Sequence, residues 1–252
     1  MPNQDTLEVA GVDGCKGGWF VIIASAMNEN YQTAVQCVLK LKSFSVRSFF
    51  TEVLSETTDC KLVCVDIPIG LSNGRKQREC DVAARKILRR PRASSVFTAP
   101  VRSCLSANNY KTASKICFEH SGKKLNKQSF FLLDKIRQVD GLMTPVLQRR
   151  VREIHPEVSF WLINDKKAMQ YNKRRLIGRR ERMKVLSPVF SDIEKIVAKA
   201  RKPREVAPDD ILDALVAAWT AGQTVMGKAG TLPEKPELDS KSLKMEILCP
   251  VG

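Results

Sequence analysis

Four aspartates are the residues of this chain whose type and surroundings could support metal chemistry: Asp13, Asp66, Asp210 and Asp213. Each lies at the end of an apolar segment or within one, where a carboxylate needs a partner. Oxygen ligands of this kind suit a hard divalent cation such as Mg²⁺ or Mn²⁺. The first hypothesis is therefore a divalent-metal site, provided that the fold brings the four side chains together.

Asp13 lies at the corner of an expected β-hairpin. An apolar strand over residues 8–12 leads into Asp13, a glycine-rich turn follows at 14–18, and a second apolar strand covers 19–24. The glycines allow close approach of the backbone, and Lys16 adds a cation beside the acid. The alternative is a tight turn with an ordinary surface aspartate.

Asp66 follows a short apolar run, Leu62–Val65, which predicts a strand buried on both faces in a parallel pairing. Pro68 ends this strand directly after the acid. The position then corresponds to the carboxyl end of a central strand, where open α/β sheets bind ligands. The alternative is that Asp66 only caps the following turn.

Asp210 and Asp213 lie on a helix predicted over residues 209–221, which is apolar almost all round after its first turn and is therefore expected to be buried. Asp213 is its one interior acid, and Asp210 is three residues earlier on the same face. Two such carboxylates favour a bound cation. Asp209 is expected to be the N-cap of the helix.

Glu157 is a fifth candidate catalytic residue. The segment 151–161 predicts a short strand followed by a helix with Pro156 at its first position, so Glu157 lies at a helix start beside a strand end. A carboxylate at that place is also stabilised by the helix dipole, whatever its function.

The chain carries 42 Lys and Arg against 27 Asp and Glu, a net charge of +15, and its field should attract polyanions such as nucleic acid. The alternative is a charge kept for solubility. Nine of the basic residues lie between 166 and 184, where they predict phosphate contacts, and the alternative for this segment is a solvated loop. The candidate nucleic-acid-binding residues are Lys16, Lys166, Lys167, Arg174, Arg175, Arg179 and Arg180.

The remaining pattern predicts one α/β domain over residues 1–252, with a helical insertion around 103–148 at one edge of the sheet and a C-terminal tail at 227–252. No apolar run is long enough to span a membrane and no signal peptide precedes the first strand, which favours a cytoplasmic protein. A further strand is expected at 31–41 and an edge strand at 243–248. Helices are expected at 46–54, 77–88, 108–119, 129–147 and 187–200, and one more begins at about 179.

This order of elements, with acids at these places, resembles the ribonuclease H-like superfamily, and the last helix is similar to that of its Holliday-junction resolvase branch. The closer resemblance is to the DUF429 family, whose members are predicted ribonuclease H-like nucleases. Six segments carry it, in order along the chain: Gly11–Trp19, Asp66–Leu71, Ser94–Pro100, Lys135–Asp140, His155–Glu157 and Asp209–Leu215.

The resemblance implies a mixed sheet, antiparallel in its first three strands and parallel thereafter, flanked by helices. It also implies a nuclease in which Asp13, Asp66, Asp210 and Asp213 hold two Mg²⁺ or Mn²⁺ ions, one activating water and the other stabilising the leaving oxygen. Two alternatives remain at the level of sequence. One is an actin-like nucleotide-binding phosphotransferase or ATPase, and the other is a nucleic-acid-binding protein without catalysis.

Overall fold

A five-stranded mixed sheet lies at the centre of the computed structural model, which describes residues 7–27, 38–74, 76–201 and 205–250. Its strands are, in chain order, β1 (Leu7–Cys15), β2 (Gly18–Met27), β3 (Val38–Arg47), β4 (Leu62–Val65) and β5 (Val151–Glu153). Across the sheet they lie in the order β3-β2-β1-β4-β5. The pairs β1–β2 and β2–β3 are antiparallel, whereas β1–β4 and β4–β5 are parallel. The predicted fold class is therefore confirmed.

Helices cover both faces of this sheet. They are α1 (Phe50–Glu56), α2 (Glu79–Arg92, with a break at Arg89 and Arg90), α3 (Tyr110–Ser121), α4 (Lys127–Phe131), α5 (Leu133–Leu142), α6 (Pro156–Ile163), α7 (Leu176–Leu186), α8 (Ile193–Ala200) and α9 (Pro208–Val225). Two short strands, β6 (Thr231–Leu232) and β7 (Ile247–Leu248), pair with each other apart from the main sheet. Within the described ranges, no helix is long and apolar enough to cross a membrane.

The apolar sequence of β2 explains the layers, because side chains alternate between the two faces of a strand. Phe20, Ile22 and Ala24 pack with α9 and with residues of α6, α7 and α8. Trp19, Val21 and Ile23 pack on the other face with α1 and α5. Both faces of the strand are buried, so both sets of positions have to be apolar.

The third strand and first helix differ from the prediction. Residues 31–37 lie outside the described residues, and β3 continues to Arg47 rather than ending near Leu41. The spacing at 46–54 predicted a helix, but Val46 pairs with Phe20 and Arg47 with Trp19 in the sheet. Pairing with a long neighbouring strand overrides the local helical pattern there, and α1 begins only at Phe50.

Other boundaries also change. The expected helix at 129–147 is divided into α4 and α5, and α5 packs on a sheet face rather than at an edge. Helix α7 begins at Leu176, before the expected start near 179, and α8 begins at Ile193, after the expected 187. The tail strand β7 pairs with β6 and does not extend the main sheet.

Candidate active site

The ends of β1 and β4 bring the first two aspartates side by side. The backbone N–H of Asp66 donates to the carbonyl of Val12 at 3.0 Å, which continues the parallel pairing past the end of β4. Asp13 is buried, and its Oδ1 accepts the N–H of Gly14 at 2.7 Å. The two strand ends therefore present carboxylates to the same place, as expected for neighbouring strands of such a sheet.

Gly11 allows α9 to approach β1 closely enough to join this site. A Cβ atom at Gly11 would lie 2.0 Å from the carbonyl oxygen of Ala214 and 2.3 Å from the backbone nitrogen of Ala218. No other residue type fits against the helix backbone at that distance. Since Asp213 immediately precedes Ala214, this contact sets Asp213 beside β1, the strand that carries Asp13 near its end.

The first turn of α9 corrects one expectation. The N-cap is Ala207 with Pro208 at the first helical position, so Asp209 is not the cap. Asp210 instead turns back, and its Oδ2 accepts the N–H of Ala207 at 2.9 Å. Asp210 therefore caps the start of α9 with one carboxylate oxygen and also lines the cleft that contains Asp13 and Asp66.

Asp213 is the most deeply placed acid, with 1% of its area exposed. Its Oδ2 is bonded to the ammonium group of Lys173. Its Oδ1 is buried and accepts no hydrogen bond from the described part of the chain. An unpaired buried carboxylate oxygen is unfavourable and is readily satisfied by a cation.

Glu157 lies at the start of α6, as expected from Pro156, and forms a buried ion pair with Arg182 of α7. Arg182 is fully buried and also donates to the carbonyls of Tyr171 and Gly178, at 3.1 and 2.9 Å. The second oxygen of Glu157, Oε2, is buried without a hydrogen-bond partner among the described residues. Glu157 therefore links the site to the basic segment that follows it.

Lys173 is the central cation of the site, and the sequence did not distinguish it from its basic neighbours. Burial disfavours its charge, but the carboxylates of Asp213, Asp13 and Asp66 outweigh burial and raise the pKa of its ammonium group. Lys173 therefore stays protonated at neutral pH and balances part of the negative charge. The loop that carries it is held by Arg92, which donates to the carbonyls of Met169 and Gln170 at 2.6 and 2.7 Å.

The pKa values of the carboxylates are raised by burial and, for Asp13, also by the neighbouring negative charges. Burial, followed by the charges of Asp66 and Asp213, raises the pKa of Asp13 well above its ordinary value. Burial also raises the pKa of Asp66 to about 7 against the opposing effect of Lys173. For Asp210, burial raises the pKa to about 6, although its bond to the Ala207 N–H opposes the rise. One lysine does not neutralise this cluster.

These side chains lie in a cleft of about 750 Å³. Its lining includes Asp13, Asp66, Glu157 and Asp210 from the predicted set, together with Lys173 beside Asp213. Each of the six segments that carry the family resemblance contributes at least one residue to the lining of this cleft. The remaining segments supply Ser95, Phe97, Lys135 and His155 to its walls. None of these four was predicted from the sequence as a site residue, although their position in these segments could have identified them.

Of the seven basic residues predicted to bind nucleic acid, Arg174 lines the cleft. Lys16 is exposed in the β1–β2 turn. Lys166, Lys167 and Arg175 precede α7, Arg179 and Arg180 lie within it, and none of these five is among the described residues that line the cleft. Arg174 is exposed, and its guanidinium makes no hydrogen bond or ion pair to any described residue. It is free to meet an anionic ligand.

As the side chains stand, no three His, Cys, Asp or Glu residues of the described ranges are close enough to hold one metal ion. The donor set nevertheless fits Mg²⁺ or Mn²⁺ chemically, because it consists of carboxylate oxygens and includes the unpaired Oδ1 of Asp213. The ammonium of Lys173 supplies the positive charge at this point. A metal ion would therefore have to exchange places with, or shift, this lysine.

Comparison with known proteins gives three findings. A family described as "Protein of unknown function (DUF429)" matches residues 11–238. The search of curated proteins gives no match. Among solved structures, the chain is similar to one described as "Thermus thermophilus RuvC structure", with a TM-score of 0.38 and 10% identity, over 88% of this chain and 97% of that chain. So weak a structural likeness leaves the function to be inferred from the residues of the cleft.

Proposed function

The chain belongs to the DUF429 family, and we propose that it is a divalent-metal-dependent nuclease that hydrolyses phosphodiester bonds in nucleic acid. The observation that supports this most directly is that Asp13 and Asp66 line one cleft with Lys173, whose ammonium group is bonded to the buried Asp213. Three acids from two strand ends and a helix, with raised pKa values, form a site that favours additional positive charge.

In this proposal Asp13, Asp66, Asp210 and Asp213 hold Mg²⁺ or Mn²⁺. Bound metal supplies the charge that activates water and stabilises the leaving oxygen of a phosphodiester. The carboxylates contribute oxygen ligands on rigid elements, since α9 is packed directly on β1 at Gly11. Rigid placement of this kind keeps the reacting groups aligned.

The basic residues of the cleft have separate roles. Arg174 is exposed and unpaired among the described residues, so it is available to bind a phosphate of the scissile strand. Lys135 is held between the carbonyl of Gly18, at 2.7 Å, and the ring of Trp19. It therefore fixes α5 against the first hairpin while keeping its charge beside the cleft.

Glu157 contributes in two ways. Its ion pair with Arg182 fixes α7 against the start of α6, and Arg182 also donates to the carbonyl of Tyr171 in the loop that carries Lys173. Its charge also adds to the negative field that acts on Asp66. We therefore assign Glu157 a supporting role in the site, where its buried Oε2, which has no partner among the described residues, would also be stabilised by added positive charge.

The test is a cleavage screen of purified protein with Mn²⁺ and with Mg²⁺ over single-stranded, duplex, hybrid and junction substrates. Asp13→Asn is the matched control, because it removes one ligand charge and keeps the shape of the side chain. The proposal expects metal-dependent cleavage that the chelator and Asp13→Asn both abolish. Cleavage that survives Asp13→Asn would assign the activity to a contaminant, and ATP turnover without strand cleavage would favour the phosphotransferase alternative.

A further inference from the structure

An exposed aromatic ring forms part of the wall of the cleft that contains the acidic strand ends. Phe131, the last residue of α4, has 75% of its area exposed and lines the same cleft as Asp13 and Asp66. Its neighbour Phe130 packs inward, with ring centroids 5.5 Å from Tyr110. The ring of Phe131 touches that of Phe130, with centroids 6.0 Å apart, but most of its surface remains open to the cleft.

Helix α4 holds this ring in a fixed place. Its N-cap Asn126 accepts the N–H of Ser129 at 2.7 Å, and the buried hydroxyl of Ser129 donates to the carbonyl of Thr98 at 2.9 Å. The second bond ties α4 to the 94–100 segment, whose Phe97 is half-buried and also lines the cleft. The ring of Phe131 is therefore presented on a rigid support rather than on a free loop.

The surroundings of Phe131 fit a nucleotide. The cleft volume of about 750 Å³ is within the range of sites that enclose small ligands. Arg174 supplies an unpaired cation for a phosphate, and the exposed side chain of Gln128 lines the same wall with an amide that can bond to a base edge. A flat apolar ring, a cation and an amide together match the base, phosphate and polar edge of one unstacked nucleotide.

We infer that Phe131 stacks on an unpaired base, and that the substrate class is nucleic acid with unpaired nucleotides at the cleft rather than continuous duplex. This inference rests on the proposed nuclease function. Within a duplex each base is stacked on its neighbours and its face is not available to a protein ring, whereas in a single strand it is. Stacking therefore selects for single-stranded or locally open substrate.

The inference is tested by fluorescence anisotropy in chelator, which prevents metal-dependent cleavage. The probes are single-stranded DNA and RNA of one sequence, the matching duplexes, and a single strand with abasic positions. Phe131→Ala should weaken binding of single strands about 5- to 150-fold, which corresponds to 1 to 3 kcal/mol per stacked base. Phe131→Trp should bind as tightly as the unmodified protein or more tightly, and Phe131→Leu should resemble Phe131→Ala.

Phe118→Ala is the matched control, because Phe118 is also exposed, at 54%, and lies on α3 of the same insertion but outside the cleft lining. It should leave binding unchanged. The difference between the unmodified protein and Phe131→Ala should shrink on the abasic strand. Equal binding by both proteins, or equal weakening on duplex and single strand, would overturn this inference alone. No nucleic-acid binding by the unmodified protein would overturn the proposed function with it.

Discussion

Replacing Lys173 by methionine removes the central cation of the carboxylate cluster while keeping most of the side-chain length. The variant leaves Asp213 buried without its partner and leaves Asp13 and Asp66 without the charge that offsets their repulsion. Breaking a buried ion pair from one side costs about 3 to 5 kcal/mol. Because 36% of the Lys173 side chain is exposed, solvent screening reduces this value, and we expect a loss of about 1 to 3 kcal/mol in chelator.

The loss should depend on pH. A carboxyl whose pKa is raised in the folded state, as burial raises that of Asp66 to about 7, keeps its proton up to a higher pH in the folded protein than in the unfolded chain. Its contribution to stability is complete below its unfolded pKa near 4 and is lost as the pH rises through about 7. The repulsion that Lys173 offsets therefore grows over the same interval. The difference between Lys173→Met and the unmodified protein should be small at pH 4 and largest at pH 8.

Divalent metal should offset the stability difference between Lys173→Met and the unmodified protein. A bound ion no longer has to break the pair between Lys173 and Asp213, so Mn²⁺ should bind Lys173→Met about 5- to 150-fold more tightly, the equivalent of 1 to 3 kcal/mol. Added metal should also stabilise the variant more than the unmodified protein. Denaturant unfolding with chelator and with Mn²⁺, together with calorimetric titration of Mn²⁺, measures both effects.

Two controls make this prediction specific. Lys173→Arg keeps the charge and should retain most of the stability in chelator. Arg174→Gln removes a neighbouring exposed charge that has no partner among the described residues, and it should leave stability unchanged. If Lys173→Met is as stable as the unmodified protein in chelator and binds Mn²⁺ with unchanged affinity, Lys173 does not balance the cluster and the reasoning is wrong.

Three further outcomes follow from the same contacts. Asp213→Asn leaves Lys173 facing Asp13 and Asp66, so unfolding in chelator should change by less than about 1 kcal/mol while stabilisation by Mn²⁺ decreases; a much larger loss in chelator would contradict this. Arg182→Met leaves Glu157 buried and unpaired, so denaturant unfolding should show a loss of about 3 to 5 kcal/mol, and a loss below 1 kcal/mol would refute the buried pair. Arg174→Gln should lower the salt slope of nucleic-acid binding by about one unit, whereas Arg180→Gln, outside the cleft lining, should not.

The sequence was sufficient to predict the strand ends that carry the acids. The apolar runs around Asp13 and before Asp66 have the length and composition of strands buried on both faces, and the sheet places them as neighbours. Local composition also identified α9 as a buried helix with one interior acid at Asp213. These features depend on residues close together in the chain, where periodicity and turn signals are informative.

The limits of local pattern are visible at β3 and α1. Residues 46–54 have helical spacing, yet Val46 and Arg47 belong to a strand because β2 extends far enough to pair with them. The same is true of Asp209, which has the residue type of an N-cap but lies inside the helix, while Asp210 makes the capping contact. At β3 the neighbouring strand decided the conformation, whereas at α9 the start of the helix at Pro208 places Asp209 one residue inside it.

Only the tertiary structure separated Lys173 from the other eight basic residues between 166 and 184. In composition these residues are equivalent, but Arg92 holds the loop at Met169 and Gln170, and this directs Lys173 onto Asp213. The same folding buries Arg182 against Glu157. A residue's charge is fixed by its type, whereas its partner depends on contacts between segments far apart in the chain, and no local pattern encodes those contacts.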